Sequence, residues 1–159
     1  LNVVLGYGTL LAKKIEESFG IPYIRVNYPI GITGTQNFLQ KISSHLELKQ
    51  QGLKKIVEKE TENIKRICKS YEAFLPVLYG APAAVSADSY RALALSKWLT
   101  EEIGIDVKAI NITSISAFNE NLEDIKKCSK TVLLEESWHR FEQILRERKW
   151  RLYLVGIWR

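Results

Sequence analysis

The sequence predicts an α/β protein in which Rossmann-like parallel sheets are flanked by helices and a long helix links two lobes. Short apolar, β-prone runs alternate with segments of helical period, which is the pattern of parallel sheets with crossover helices. The clearest break is a stretch rich in proline and glycine. The 159 residues are 46% hydrophobic and 26% charged, as in globular domains. We expect one lobe over residues 1–75, a linker over 76–82 and a second lobe, truncated at its C-terminus, over 83–159.

The first lobe opens with a strand–helix–strand unit. Val3–Leu5 and Tyr23–Val26 are predicted strands, and the segment between them repeats apolar residues at helical spacing. Thr9 is the predicted N-cap of this helix, and Gly20 its C-terminal stop. Because a strand–helix–strand order joins parallel strands, we expect a parallel pair. The apolar positions of the helix are Leu11, Ile15 and Phe19.

Two further helices are predicted in this lobe. Tyr28–Thr35 holds a proline and two glycines and is predicted as a loop, with Thr35 capping a short helix that carries Phe38. A longer helix is predicted over Gln50–Phe74, with one apolar stripe. Its charges alternate in sign and include a predicted Glu62–Arg66 pair, so the opposite face is predicted to meet water.

The second lobe repeats the alternation. Predicted caps are Asp88 and Ser137 at helix starts and Gly104 at a helix end, and a further short helix is predicted at Asn121–Lys127. The predicted strands are Ala83–Ser86, Val107–Ile112, Thr131–Leu134 and Leu152–Val155.

Charge and hydropathy limit the classes of partner. The net charge is +5, but the basic residues between positions 49 and 69 alternate with acidic ones, and no nucleic-acid docking module accompanies the rest. We therefore expect no nucleic-acid partner. The apolar runs are shorter than the roughly 20 residues of a membrane helix, and no signal-like leader precedes them, so we expect a cytoplasmic protein without a membrane partner.

The soft metal donors are few and scattered. Cys68 and Cys128 have no second cysteine or histidine at ligand spacing, so no metal site is predicted, and two reduced thiols are favoured over a disulfide. His45 is interpreted as a helix-end cation and His139 as a surface residue. No catalytic constellation is recognisable, and we assign no catalytic residue and no metal ligand.

Two glycine-containing turns are the candidates for binding. Gly6-Tyr7-Gly8 follows a strand, but Leu11 stands where a dinucleotide fingerprint needs its third glycine, so a tight turn is favoured over a cofactor loop. The segment from Gly31 to Thr35 is interpreted equally well as an anion cradle of backbone N–H groups or as a capped turn.

The sequence resembles the nitrogenase component 1 superfamily along nearly all of its length. The resemblance lies in three pieces. These are Leu1 through Tyr7 with Phe19-Gly20-Ile21-Pro22-Tyr23; Tyr28-Pro29-Ile30-Gly31-Ile32 with Thr35 and Phe38-Leu39; and Ala83–Ser86 with Asp88 and Leu99 through Ile105. The superfamily comprises nitrogenase subunits, cofactor-assembly scaffolds and nitrogenase-like tetrapyrrole reductases. The resemblance implies an internal fragment of a subunit roughly three times longer.

Departures from the family pattern refine this interpretation. Gly6 stands where the catalytic α subunit has a cluster-ligating cysteine, and the Pro-Ile-Gly-Ile loop favours the β-type branch. Lys149-Trp150-Arg151-Leu152 replaces the usual Lys-Pro-Asp, so we hypothesise that the native reading frame diverges near Trp150.

The resemblance implies a β-like oxidoreductase subunit that shapes a metallocluster or substrate pocket. It implies an α-type partner subunit and an iron protein that delivers electrons. We expect no cofactor to be held by this chain alone, an iron–sulfur or iron–molybdenum cluster in the intact hetero- or homo-oligomer, and an inactive fragment. The alternatives are a non-catalytic assembly scaffold and an unrelated Rossmann-like ligand-binding domain. The candidate cofactor-binding residues, placed at strand carboxyl ends, are Gly6, Tyr7, Gly31, Ile32 and Thr35.

Overall fold

The computed structural model describes residues 1–46, 50–71, 75–114, 118–148 and 153–156. It divides into two compact units, Leu1–Tyr71 and Glu72–Arg159. Both units are α/β, with parallel strands flanked by helices. The predicted fold class is therefore confirmed. The hypothesis about the reading frame concerns Trp150, which lies outside the described residues.

The first unit is built on a two-stranded parallel sheet. Strands β1 and β2 pair in register from Asn2 opposite Tyr23 to Leu5 opposite Val26. Val4, Ile24 and Val26 are buried on this sheet, together with Ala12 of the first helix. The elements in chain order are β1 (Asn2–Leu5), α1 (Thr9–Phe19), β2 (Tyr23–Val26), α2 (Gly31–His45) and α3 (Gln50–Ser70).

Helix α1 differs from its prediction at its start and in its packing. Gly8, at φ 101°, occupies the N-cap, so the predicted cap Thr9 is the first helical residue. Gly20 ends the helix as predicted, and its N–H donates to the Glu16 carbonyl. Leu11 and Phe19 remain 64% and 75% exposed, because the short residue Ala12 is the one that approaches the sheet.

Helix α2 begins earlier than predicted. The expected loop ends at Ile30, which is extended and occupies the N-cap, and the helix starts at Gly31. Thr35 is therefore not a cap. Its hydroxyl donates to the Gly31 carbonyl at 2.7 Å, a bond back along the helix that satisfies the side chain without ending the helix.

Helix α3 confirms the long helix, although residues 72–74, where it was predicted to end, lie outside the described residues. The Glu62 carboxylate accepts from Lys65 Nζ at 2.8 Å, so its ion pair is formed one residue before the predicted partner Arg66. The helix contacts α2, where Gln36 Nε2 donates to Thr61 Oγ1 at 3.3 Å, but Ile56 and Ile67 of its predicted apolar stripe remain 61% and 57% exposed.

The second unit contains a four-stranded sheet, all parallel, in the order β5-β4-β3-β6. Residues 75–78, where the linker was expected to begin, form a helical turn. Pro82 opens the first strand, a position where proline costs no ladder bond. The elements are α4 (Leu75–Leu78), β3 (Pro82–Ala87), α5 (Ser89–Lys97), a π-helical segment (Trp98–Ile103), β4 (Asp106–Ile112), α6 (Phe118–Cys128), β5 (Val132–Leu134), α7 (Trp138–Glu147) and β6 (Tyr153–Gly156).

The predicted caps of the second unit are confirmed. Asp88 accepts from the N–H groups of Tyr90 and Arg91, and Ser137 accepts from the N–H of Arg140. Gly104, at φ 80°, ends the π-helical segment that continues α5. These local hydrogen bonds and the glycine conformation determine the residues at which the helices begin and end.

Helix α7 covers one face of the four-stranded sheet. Phe141 is fully buried with Leu145 against Ala84 and Ala109, two small residues on neighbouring strands. The Trp138 ring meets the edge of Phe141 at a centroid distance of 6.1 Å. Among the described residues, no helix combines the length and the apolar character that crossing a membrane would require.

Candidate functional site

The five predicted site residues follow the two strands of the first unit. Since Leu5 pairs with Val26, the chain leaves both parallel strands at the same edge of the sheet. Gly6 is buried at φ 73°, and Tyr7 beside it is 42% exposed. The turn after β1 therefore requires glycine for its backbone conformation and presents an aromatic side chain to solvent.

Gly31, Ile32 and Thr35 lie in the first two turns of α2, the helix that follows β2. Gly31 has φ 75°, a conformation that glycine adopts without strain. Thr35 Oγ1 also lies 3.2 Å from the Pro29 carbonyl, so its hydroxyl proton serves the local backbone. The residues after β1 and those at the start of α2 thus lie at the carboxyl edge of one sheet. Their role in binding stays a prediction.

The electrostatics of this edge come from two helix N-termini. The N-caps of α1 and α2 are Gly8 and Ile30, which make no side-chain capping hydrogen bond, and neither helix has an acidic residue in its first turn. The positive ends of two helix dipoles are therefore not offset by a local carboxylate. This arrangement is chemically suited to a negatively charged ligand.

The donors needed to ligate a metallocluster are not assembled here. The chain has two cysteines and two histidines, and no group of three or more His, Cys, Asp or Glu residues among the described residues could hold a metal ion. Cys68 is exposed on α3. His45 Nδ1 contacts the Lys41 carbonyl at 2.9 Å, as expected of a side chain at a helix end. These residues do not fit the ligand set of an iron–sulfur cluster.

Cys128 is held as a thiol. Its Sγ donates to the Asp124 carbonyl at 3.3 Å. Burial raises the pKa of the Cys128 thiol, an effect that the Lys97 charge partly opposes. Because the thiolate is the metal-binding form, this environment disfavours ligation. Both cysteines are free, as the preference for reduced thiols predicted.

A polar group at the carboxyl edge of the second sheet was missed in the sequence. Asn111 is 1% exposed, and its Nδ2 donates to the Glu136 carbonyl at 2.9 Å and to Ser86 Oγ at 3.3 Å. The amide thereby ties β4 to β3 and to the loop before α7. The available signal was an asparagine inside an apolar strand, which needs partners when buried.

The chain is an α/β protein of two parallel-sheet units. Its candidate site, at the carboxyl edge of the first sheet, offers backbone N–H groups at two helix starts, without a set of metal ligands among the described residues. A model of the nitrogenase component 1 type oxidoreductase family matches residues 1–158. The chain belongs to this family.

Similar proteins come from several branches of the family. The chain is 30% identical over 105 residues to a light-independent protochlorophyllide reductase subunit of Synechococcus sp. (strain JA-2-3B'a(2-13)), covering 63% of this chain and 20% of that protein. It is 33% identical over 100 residues to the nitrogenase iron-molybdenum cofactor biosynthesis protein NifE of Clostridium pasteurianum, covering 61% and 22%. With the nitrogenase molybdenum-iron protein alpha chain of Methanococcus maripaludis it shares 24% identity, covering 94% and 30%.

A solved structure supports the same fold. The structure of nitrogenase Cp1 at pH 6.5 superposes with a TM-score of 0.70 at 19% identity, covering 98% of this chain and 38% of that chain. The chain therefore spans between 20% and 30% of the length of the three relatives compared by sequence.

Proposed function

We propose that this chain is part of a β-like subunit of a nitrogenase-type oxidoreductase, where it shapes a metallocluster or substrate pocket together with an α-type partner subunit. In this proposal an iron protein supplies the electrons, and the complex works in the cytoplasm. The supporting observation is the carboxyl edge of the first sheet, where two helices begin without a neutralising carboxylate. Family membership supports the reaction class.

The proposed role of the candidate residues is to shape and polarise the pocket. Gly6 and Gly31 adopt positive φ values and so let the backbone turn sharply at the strand ends. Tyr7 and Ile32 supply apolar surface, and Thr35 Oγ1 fixes the start of α2 through its bond to Gly31. In this proposal the metal ligands come from outside the described residues, among which no group of three or more His, Cys, Asp or Glu could hold a metal ion.

A second candidate function is a cofactor-assembly scaffold that binds a precursor cluster and passes it on. The similarity to the biosynthesis protein NifE favours keeping it. The two functions differ in turnover, since a scaffold transfers its cluster without reducing substrate. The family match excludes the third alternative, an unrelated Rossmann-like binder.

The pocket is tested in the complete complex that contains this chain. Thr35→Val keeps the shape of the side chain and removes the hydroxyl, so we expect substrate reduction to fall while folding is retained. Thr100→Val is the matched control, because the Thr100 hydroxyl makes the same backward bond, to the Ser96 carbonyl at 2.6 Å, in the second unit. Equal activity of the two variants would count against the pocket.

Metal content tests whether this chain can hold a cluster without its partner subunit. The chain purified alone under anaerobic conditions and treated with iron and sulfide is expected to hold no stoichiometric cluster, whereas the complex with its α-type partner is expected to hold one. A brown, iron-loaded chain on its own would contradict the proposal. Substrate reduction by the loaded complex, against transfer of its cluster to a cluster-free acceptor, then separates the reductase from the scaffold.

A further inference from the structure

We draw no further inference here: the strongest candidate, the exposed apolar side of α3 that carries Ile56 and Ile67, is a helix face for which nothing in the described part of the chain shows what covers it.

Discussion

Phe141→Ala should destabilise the second unit strongly. The ring is fully buried under α7, and it faces Ala84 and Ala109, whose methyl groups cannot extend into the space that the ring leaves. Deleting a buried phenyl group costs about 3–5 kcal/mol through lost transfer free energy and the remaining cavity. The lost edge contact with Trp138 contributes about 0.5–1.5 kcal/mol of that total. This is a large part of the roughly 5–15 kcal/mol by which a domain is stable.

Tryptophan fluorescence isolates this effect. All four tryptophans, Trp98, Trp138, Trp150 and Trp158, belong to the second unit, so urea unfolding followed by fluorescence reports on that unit. At a slope of about 2 kcal/mol per molar urea, the midpoint should fall by about 2 M.

The same ring deletion at an exposed position is the control for Phe141→Ala. Phe19 is 75% exposed on α1, so Phe19→Ala should leave the urea transition followed by circular dichroism nearly unchanged. Phe141→Leu should cost less than Phe141→Ala, because it keeps most of the buried volume. A loss below about 1 kcal/mol for Phe141→Ala would refute the packing described for α7.

Three further predictions concern a cap, a thiol and a glycine. Asp88→Ala should lower the free energy of unfolding in urea by about 1–2 kcal/mol, because it removes the hydrogen bonds to the Tyr90 and Arg91 N–H groups. Asp88→Asn should lower it less, because asparagine caps helices equally well. Equal losses for the two variants would contradict the capping role. Cys128 should react with a thiol reagent more slowly than the exposed Cys68. Burial raises the pKa of the Cys128 thiol and so lowers its thiolate fraction at neutral pH, so the rate at Cys128 should rise only at higher pH. Single Cys→Ser variants assign the two rates, and equal rates would contradict this prediction. Gly31→Val should lower stability as well as binding, because φ 75° strains a branched residue by about 1–3 kcal/mol, and an unchanged urea midpoint would show that the start of α2 differs from the structure.

The sequence alone predicts that Gly31→Val damages binding more than folding. In the structure Gly31 has a positive φ. Valine at this position therefore strains the backbone and lowers stability whether or not a ligand binds, so the variant cannot separate binding from folding. Thr35→Val separates the two effects better, because it removes a local hydroxyl bond without placing a branched residue at a positive φ.

Local signals predicted much of the fold. Asp88, Ser137, Gly20 and Gly104 were identified as helix boundaries because capping depends on a few neighbouring atoms. The start of α2 was missed for the opposite reason. Pro29, Gly31 and Gly34 resemble a loop in sequence, but Gly34 is helical, and a Cβ there would lie 3.4 Å from the Tyr28 carbonyl, a close approach that only the folded chain reveals.

Which face of a helix is buried could not be predicted from spacing alone. Leu11 and Phe19 have the period of a packed stripe, yet they stay exposed while Ala12 is buried. Periodicity identifies the apolar side of a helix. Whether another element lies against that side depends on residues distant in sequence, which is also why the exposure of Ile56 and Ile67 on α3 was not predicted.

The position of the candidate site could be predicted from the topology, whereas its chemistry depends on side chains that the topology does not specify. Parallel strands deliver Gly6 and Gly31 to one edge wherever a strand–helix–strand unit forms, so their placement required only the correct strands. Ligation of a cluster needs several thiolates or imidazoles converging on one point, and the described residues contain no such group. Because α1 and α2 begin at this edge without an acidic residue in their first turns, what the edge itself provides is the positive ends of two helix dipoles.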